Sequence, residues 1–413
     1  MSARGIRSVL LFLAVPALGA LAPLLLYPVV TSEFRQDGFA AMAIAQSVGV
    51  AIAVVCELGW SVIGPQAVAR MSARDRSEYH AASVASKLVT LALGSPVAAG
   101  AAILLSPQYQ IDAAVIAAAS TLAALSPSWA LTGVNRPGLL LIADVFPRLV
   151  STSVVALWIW LGGPLGAVGA VNMIVIPFSL FLAWRTLGLR VIPGRQHFIR
   201  SREHLGDHVI LTLGRSVTTV YTSLIPAFVA VAAPTSVAGY AAADRILRLG
   251  LGILGGVPSR LQNWIGMVHG DERRLRSKRS VLYNALLGAI AAGGYMALAP
   301  LVSEILFTGA ATVELSSALI AGVTALMICM SRGLGLALIA ESRPRIIATG
   351  NIVAALFGVV AVFLLTPGWG VQGALTGVLV AEASAVVVQA LVLLAVWRRP
   401  RRAPGTTHVS DGI

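Results

Sequence analysis

Apolar runs of about twenty residues recur from one end of the chain to the other, separated by short loops that carry arginine. A helix of that length crosses the hydrocarbon core of a bilayer, about 30 Å at 1.5 Å per residue. Inside hydrocarbon each backbone N–H and C=O needs a partner within its own segment, so the runs read as α-helices. Twelve are expected: Ile6–Val30, Phe39–Gly64, Ala85–Leu105, Ile111–Leu131, Leu139–Leu161, Ala167–Trp184, Val209–Ala233, Val237–Met267, Val281–Phe307, Ala318–Ala340, Ile346–Thr366 and Val371–Val396. Composition agrees, because 57% hydrophobic and 11% charged residues cannot furnish a soluble domain with a polar shell. The first run is longer than a secretory signal and is followed by many like it, so it reads as a retained helix.

The net charge of +13 would suit nucleic acid, but its placement does not. Cations alternate with loop side: Arg4 and Arg7; Arg70, Arg74, Arg76 and Lys87; Arg136; Arg185 to Arg202; Arg273 to Arg279; Arg343 and Arg345; Arg398 to Arg402. The opposite loops hold Arg35 alone. That is the positive-inside pattern, which places both termini in the cytoplasm of an inner-membrane protein and leaves no basic face for nucleic acid. Arginine in place of lysine, with abundant alanine, is the bias of a GC-rich bacterial genome. Cys56 and Cys329 both lie in apolar runs, so neither a disulfide framework nor a thiol metal site is expected.

The halves repeat. Gly38-Phe39-Ala40-Ala41 and Gly239-Tyr240-Ala241-Ala242 open the second and eighth helices, 201 residues apart. Ala130-Leu131 with Arg136-Pro137 returns as Ala337-Leu338 with Arg343-Pro344 after 207 residues, and Gly166-x-x-Gly169-Ala170 returns as Gly370-x-x-Gly373-Ala374 after 204. Six helices per half make the repeats parallel, an arrangement typical of transporters. The expected organisation is a six-helix bundle over residues 1–184, a basic cytoplasmic linker over 185–208, a second six-helix bundle over 209–397 and a disordered tail over 398–413.

On these motifs the chain resembles, over nearly its full length, the multidrug/oligosaccharidyl-lipid/polysaccharide exporter superfamily, in particular its polysaccharide-biosynthesis, Wzx-type flippase branch. The Gly-x-x-Gly-Ala openings of helices 6 and 12 carry the resemblance, together with Gly239-Tyr240 followed by Asp244-Arg245. It implies two six-helix bundles around a central cavity, and alternating access for a polyprenyl-diphosphate-linked oligosaccharide. Membrane lipids, a coupling ion (H+ or Na+) and polysaccharide-assembly proteins are the partners that go with it.

Ionisable side chains at membrane depth are costly and mark pathways or locked interfaces. Asp144/Arg148 and Asp244/Arg248 are each spaced i,i+4 and meet on one helix face. They either neutralise one another at an interface or line the cavity. Arg215 and Arg245 have no such acid on their own helix, and each either snorkels to an interface or supplies a bidentate cation for a diphosphate. Arg215, Arg245, Arg248 and Arg148 are therefore the substrate-binding candidates, and Glu57, Asp144 and Asp244 the charge-partner or coupling candidates. Glu382 is a further carboxylate in an apolar run. Gly255, Gly256 and Pro258 would let helix 8 bend. The histidines fall in loops or tails, and His204, Asp207 and His208 lack a further firm ligand, so no metal is expected. No nucleophile elbow, Walker loop or dinucleotide fingerprint is present, so neither catalytic residues nor a cofactor are expected.

Three rivals remain. A cation-coupled drug exporter of the same superfamily usually carries an acid on its first helix, and none lies between Ile6 and Thr31. A major-facilitator transporter usually has Gly–Asp–Arg between helices 2 and 3, where this chain reads Gly64-Pro-Gln-Ala-Val-Ala-Arg-Met. A membrane-embedded polymerase or ligase needs a sizeable external loop, and the longest here is Thr308–Ser317.

Overall fold

The computed structural model describes residues 19, 21–134, 137–254, 256–268 and 270–398; for residues 21, 137, 202–216, 218, 256, 259 and 263 it describes the backbone alone. Among the described residues the chain makes twelve helical passes and no strand. Helices 1 and 2 are the two arms of Leu21–Cys56, which meet at Arg35. Helix 3 is Ala73–Leu105, opened by Ser72, whose hydroxyl accepts from the Asp75 amide at 3.2 Å. Helix 4 runs through Gln110–Thr121 and a 3-10 turn at Leu122–Leu125, then resumes as Ser128–Gly133 after Pro127. Helix 5 comprises Pro137–Leu140, a π turn at Leu141–Val145 and Phe146–Trp160. Helix 6 is Ala170–Leu187 and helix 7 is Arg195–Ala232.

Helix 8 is Val237–Ile253 followed by Gly256–Gly266; helix 9 is Gly270–Phe307 and helix 10 is Leu315–Ala340. Helices 11 and 12 are the arms of Pro344–Arg398 on either side of Gly370. Gly370 has φ 55° and ψ −129°, a conformation open to glycine alone at little cost, and this is why a glycine opens helix 12. Arg35 reverses the chain with a similar φ of 56° at a residue that has a Cβ, so its turn is strained.

Cross-helix bonds sort the turns into two ends. At the arginine-rich end, Arg190 and Trp397 reach Glu78 and Glu341 respectively. At the other end, Thr31 meets Thr308, Gln36 donates to the Thr235 carbonyl and Gln372 donates to Ser316. This is the alternation that the loop charges require. The outer surface is apolar between the two ends, with Leu93, Leu104, Ile290 and Leu364 exposed around it, as suits a multi-pass membrane protein. Inside, alanines such as Ala41, Ala45, Ala117, Ala242, Ala321 and Ala381 let backbones approach closely, the packing that lipid-embedded helices favour.

Helices 3 and 9 start earlier than expected, at Ala73 and Gly270, and four other stretches differ in detail. Helix 2 ends at Cys56 rather than Gly64, because Leu58 (φ 53°) and Gly59 (φ 77°) are left-handed; the short helix Trp60–Arg70 follows. The Thr90 hydroxyl donates to the Cys56 carbonyl freed there, at 2.8 Å. Helix 4 breaks at Ser126-Pro127, where the proline ring cannot continue the ladder. Helix 8 breaks at Leu254, beside the expected bend; Gly255 itself lies outside the described residues. Lastly, much of the stretch expected as a linker is helical, since helix 7 already starts at Arg195. Its start is held by Glu78 of helix 3, which meets Arg190 and Arg200 at 3.4 Å and His197 at 3.1 Å. The His197 Nδ1 accepts from the Gly194 amide at 2.8 Å, so Nε2 carries the proton and donates to Glu78.

Helix 5 shows how one residue shapes the site. Pro147 has no N–H to give the Ala143 carbonyl four residues back, and its ring crowds that carbonyl. The helix widens into the π turn, and the Ser179 hydroxyl of helix 6 donates to the Ala143 carbonyl instead. Asp144 lies inside this turn.

Candidate functional site

The polar groups that helices 1, 2, 5 and 8 turn inward meet around Tyr27. Two cavities share Pro23 and Tyr27 as a wall. One, of about 190 Å³, lies within the first bundle and is lined by Gln46, Ser120, Arg148, Thr152 and Asn172. The other, of about 240 Å³, lies between the bundles and is lined by Arg245, Arg248, Leu306 and Phe307. Tyr27 is therefore the partition between an intrabundle chamber and the interbundle cleft.

Arg245 crosses that partition. Its Nη2 donates to the Gln46 side-chain oxygen at 2.8 Å, joining helix 8 to helix 2. The guanidinium carbon stands 4.5 Å from the Tyr27 ring centre and 5.0 Å from that of Phe39, a cation–π arrangement on two faces. Phe307 completes the aromatic group, 4.9 Å from Phe39 and 5.8 Å from Tyr27. The other terminal nitrogen, Nη1, is buried with no hydrogen-bond partner. An arginine so held has one terminal N–H group committed and a second uncommitted, which is a receptor for an oxyanion.

Arg148 is more fully engaged. It donates to Asp144 at 2.8 Å and to the Asn172 side-chain oxygen at 3.2 Å, and it lines the intrabundle chamber. Asp244 and Arg248 pair at 2.6 Å, with Arg248 also donating to the Thr222 carbonyl at 3.3 Å. Both i,i+4 pairs expected from the sequence thus form, and each arginine also lines a cavity. Glu57 stands at the broken end of helix 2 and accepts from the Ser61 hydroxyl at 2.8 Å, with no arginine paired to it among the described residues. The side chain of Arg215 lies outside the described residues, and so do His204, Asp207 and His208. Among the described residues no group of three or more His, Cys, Asp or Glu is placed to hold a metal.

Sequence reasoning missed several members of the site. Gln46, Tyr27 and Asn172 are ordinary residues in apolar runs, and nothing local marks them. Arg332 of helix 10 should have been found, as an arginine in mid-run. It acts electrostatically on Glu382 of helix 12, as Arg248 does, although neither forms an ion pair with it within 4 Å. Near this carboxylate stands Tyr221, whose buried hydroxyl has no partner. Lys87, counted with the loop cations, is instead 1% exposed, with its ammonium 5.6 Å from the Trp129 ring centre.

The fold and the cavities together define a membrane transporter, two helical bundles with a charged chamber between and within them. The family model described as polysaccharide biosynthesis protein matches residues 6–259, and the chain belongs to that family. Among solved structures, an inward-facing multidrug resistance MATE family transporter of the MOP superfamily is similar at a TM-score of 0.71 and 18% identity, over 95% of this chain and 100% of that one. The lipid II flippase MurJ, in an inward closed conformation, is similar at 0.70 and 11% identity, over 96% of this chain and 88% of that one. A MOP superfamily transporter from Pyrococcus furiosus, described by the reverse polarity of its binding pocket, is similar at 0.56 and 16% identity, over 95% and 96%. None of the curated proteins compared matches the chain.

Proposed function

We propose that this protein flips a polyprenyl-diphosphate-linked oligosaccharide from the inner to the outer leaflet of the bacterial cytoplasmic membrane, by alternating access. The observation that carries the reading is Arg245: a guanidinium held between the bundles, with one donor spent on Gln46 and the next buried and unpartnered. A diphosphate supplies the oxygens that this fork lacks. Arg248 lines the same cleft, and Arg148 the chamber beyond Tyr27. Arg215, on helix 7, is proposed to add to this charge. The arginine-rich end is cytoplasmic, and so are both termini. The division into bundles at residues 1–184 and 209–397, joined through 185–208, supplies the two bodies that rock.

Thr31 with Thr308 and Gln36 with Thr235 join the halves at the end away from the arginine-rich loops, while at the arginine-rich end Glu78 ties helix 3 to the start of helix 7. We read the first set as the seal that opens when substrate has entered from the cytoplasmic side. For coupling to H+ or Na+, Asp144 and Asp244 are occupied by arginine and Glu57 by Ser61. Glu382, without an ion pair among the described residues, joins them as the freest candidate. The reading is tested in proteoliposomes loaded with a polyprenyl-diphosphate oligosaccharide, by following transfer between leaflets. Transfer above that of empty vesicles, lowered at least tenfold by Arg245→Ala, is expected. No transfer with several sugar heads and with either ion gradient imposed would refute it and favour a small-molecule exporter.

A further inference from the structure

We infer that the cleft around Arg273, in the second half of the chain at its arginine-rich end, holds the phosphate headgroup of a bilayer phospholipid whose acyl chain lies against the outside of helices 8 and 10. The cleft has a volume of about 480 Å³, larger than either chamber beside Tyr27, and shares no residue with them. It lies between the second segment of helix 8, the start of helix 9 and the end of helix 10. That volume falls within the range of about 300–1,000 Å³ usual for small-ligand pockets.

The three arginines beside it are used differently. Arg276 has both terminal nitrogens engaged: it donates to Glu272 at 2.6 Å and to the Trp264 carbonyl at 2.8 Å, and covers the Trp264 ring at 5.0 Å. Arg274 donates to the Trp397 carbonyl and also has its Nε buried without a partner, but it does not line the cleft. Arg273 lines the cleft with its Nε buried and unpartnered, and no carboxylate pairs with it among the described residues. A buried guanidinium donor left open calls for an acceptor, and an oxyanion makes the strongest one.

The other walls say which kind. Ile265, Leu336 and Ile339 are apolar, with Gln262 the polar exception. Met267 and Ile339 carry the apolar lining to the outer surface, 75% and 43% exposed. Free phosphate gains nothing from such walls, whereas the first methylenes of a lipid lie against them without exposing them to the polar headgroup layer. Arg273 also stands beside Leu336, Ile339 and Ala340, where the apolar helix 10 ends, which is the headgroup level. The inference does not depend on what the protein transports.

The full-length protein in detergent tests it, with thermal unfolding followed against short-chain phosphatidylglycerol, a diacylglycerol of the same chain length, and inorganic phosphate. Phosphatidylglycerol is expected to raise the Tm of the wild type and of Arg245→Ala, and the other two ligands are not. Arg273→Ala should weaken the lipid's effect about tenfold or more, the loss of one charge-assisted contact. Ala340→Phe, which fills the cleft and keeps the charge, should weaken it comparably and decides the matter where Arg273→Ala does not fold. Undiminished binding in either folded variant overturns the proposal, and so does a diacylglycerol or phosphate effect equal to the lipid's.

Discussion

Replacing Gln46 with leucine should loosen the seal between the bundles without unfolding either one. Leucine keeps most of the side-chain volume and removes the oxygen that accepts from Arg245. That bond exists only while helices 2 and 8 are together, so its loss raises the energy of the closed arrangement alone. A hydrogen bond to a charged group is worth about 1.5–3 kcal/mol. Arg245 is half-buried and keeps its contacts with Tyr27 and Phe39, so the lower part of that range applies, about 1.5–2 kcal/mol. At about 1.4 kcal/mol per tenfold, the open population rises roughly ten- to thirtyfold.

Thr31 reports that population, since it is 1% exposed and its hydroxyl meets that of Thr308 across the seal at 3.0 Å. In a background with Cys56 and Cys329 changed to alanine, a Thr31→Cys thiol is labelled by a maleimide only when the bundles part. While the closed state dominates, the labelling rate follows the open fraction. It should rise ten- to thirtyfold in Gln46→Leu, and stay level in Gln108→Leu, an exposed control at the same end. A rate within twofold of the parent would show that Gln46 and Arg245 do not hold the bundles together.

Two further predictions concern the frame around the site. Ser179→Ala leaves the Ala143 carbonyl unpartnered and should cost about 1–2 kcal/mol in chemical unfolding; in a Pro147→Ala background, where a backbone N–H returns to that turn, the cost should fall below half, and additive effects would refute the account. Gly358→Ala would set a Cβ 1.9 Å from the Tyr221 hydroxyl and 2.7 Å from the Ala381 Cβ, so it should lower stability by about 1–3 kcal/mol through overpacking of helices 7, 11 and 12. Tyr221→Leu, which withdraws the ring, should recover much of that loss in the double variant, as read from the shift in Tm.

The twelve passes were legible because hydrocarbon imposes a length and loop charge imposes a side, and both are written residue by residue. What escaped were the interruptions. Phe39–Gly64 reads as one run, yet it breaks at Leu58, whose left-handed backbone no propensity foretells. The π turn at Leu141–Val145 was half visible, since Pro147 announces a lost bond, but the partner that accommodates it is Ser179, thirty-six residues from Ala143. The start of helix 7 at Arg195 was hidden by its polar composition. Such a segment is held by tertiary contacts, here Glu78 with His197 and Arg200, rather than by hydrophobic periodicity.

The site divides along the same line. Pairs four residues apart, Asp144 with Arg148 and Asp244 with Arg248, could be read directly because helical geometry sets their approach. Arg245 was legible as a charge without a local partner, and that absence was informative: its partner, Gln46, lies 199 residues away on the other half of the repeat. A cation left unpaired by its own helix is free to bridge two bodies that move relative to each other. It is also free to exchange that bridge for a ligand. An oxyanion entering the cleft would compete with Gln46 for the same guanidinium, so binding and release of the seal would draw on one set of donors. Tyr27 stands against that guanidinium and walls both chambers. A shift of helix 1 would therefore be felt at Arg148 and at Arg245 together, linking the two bundles through a single ring.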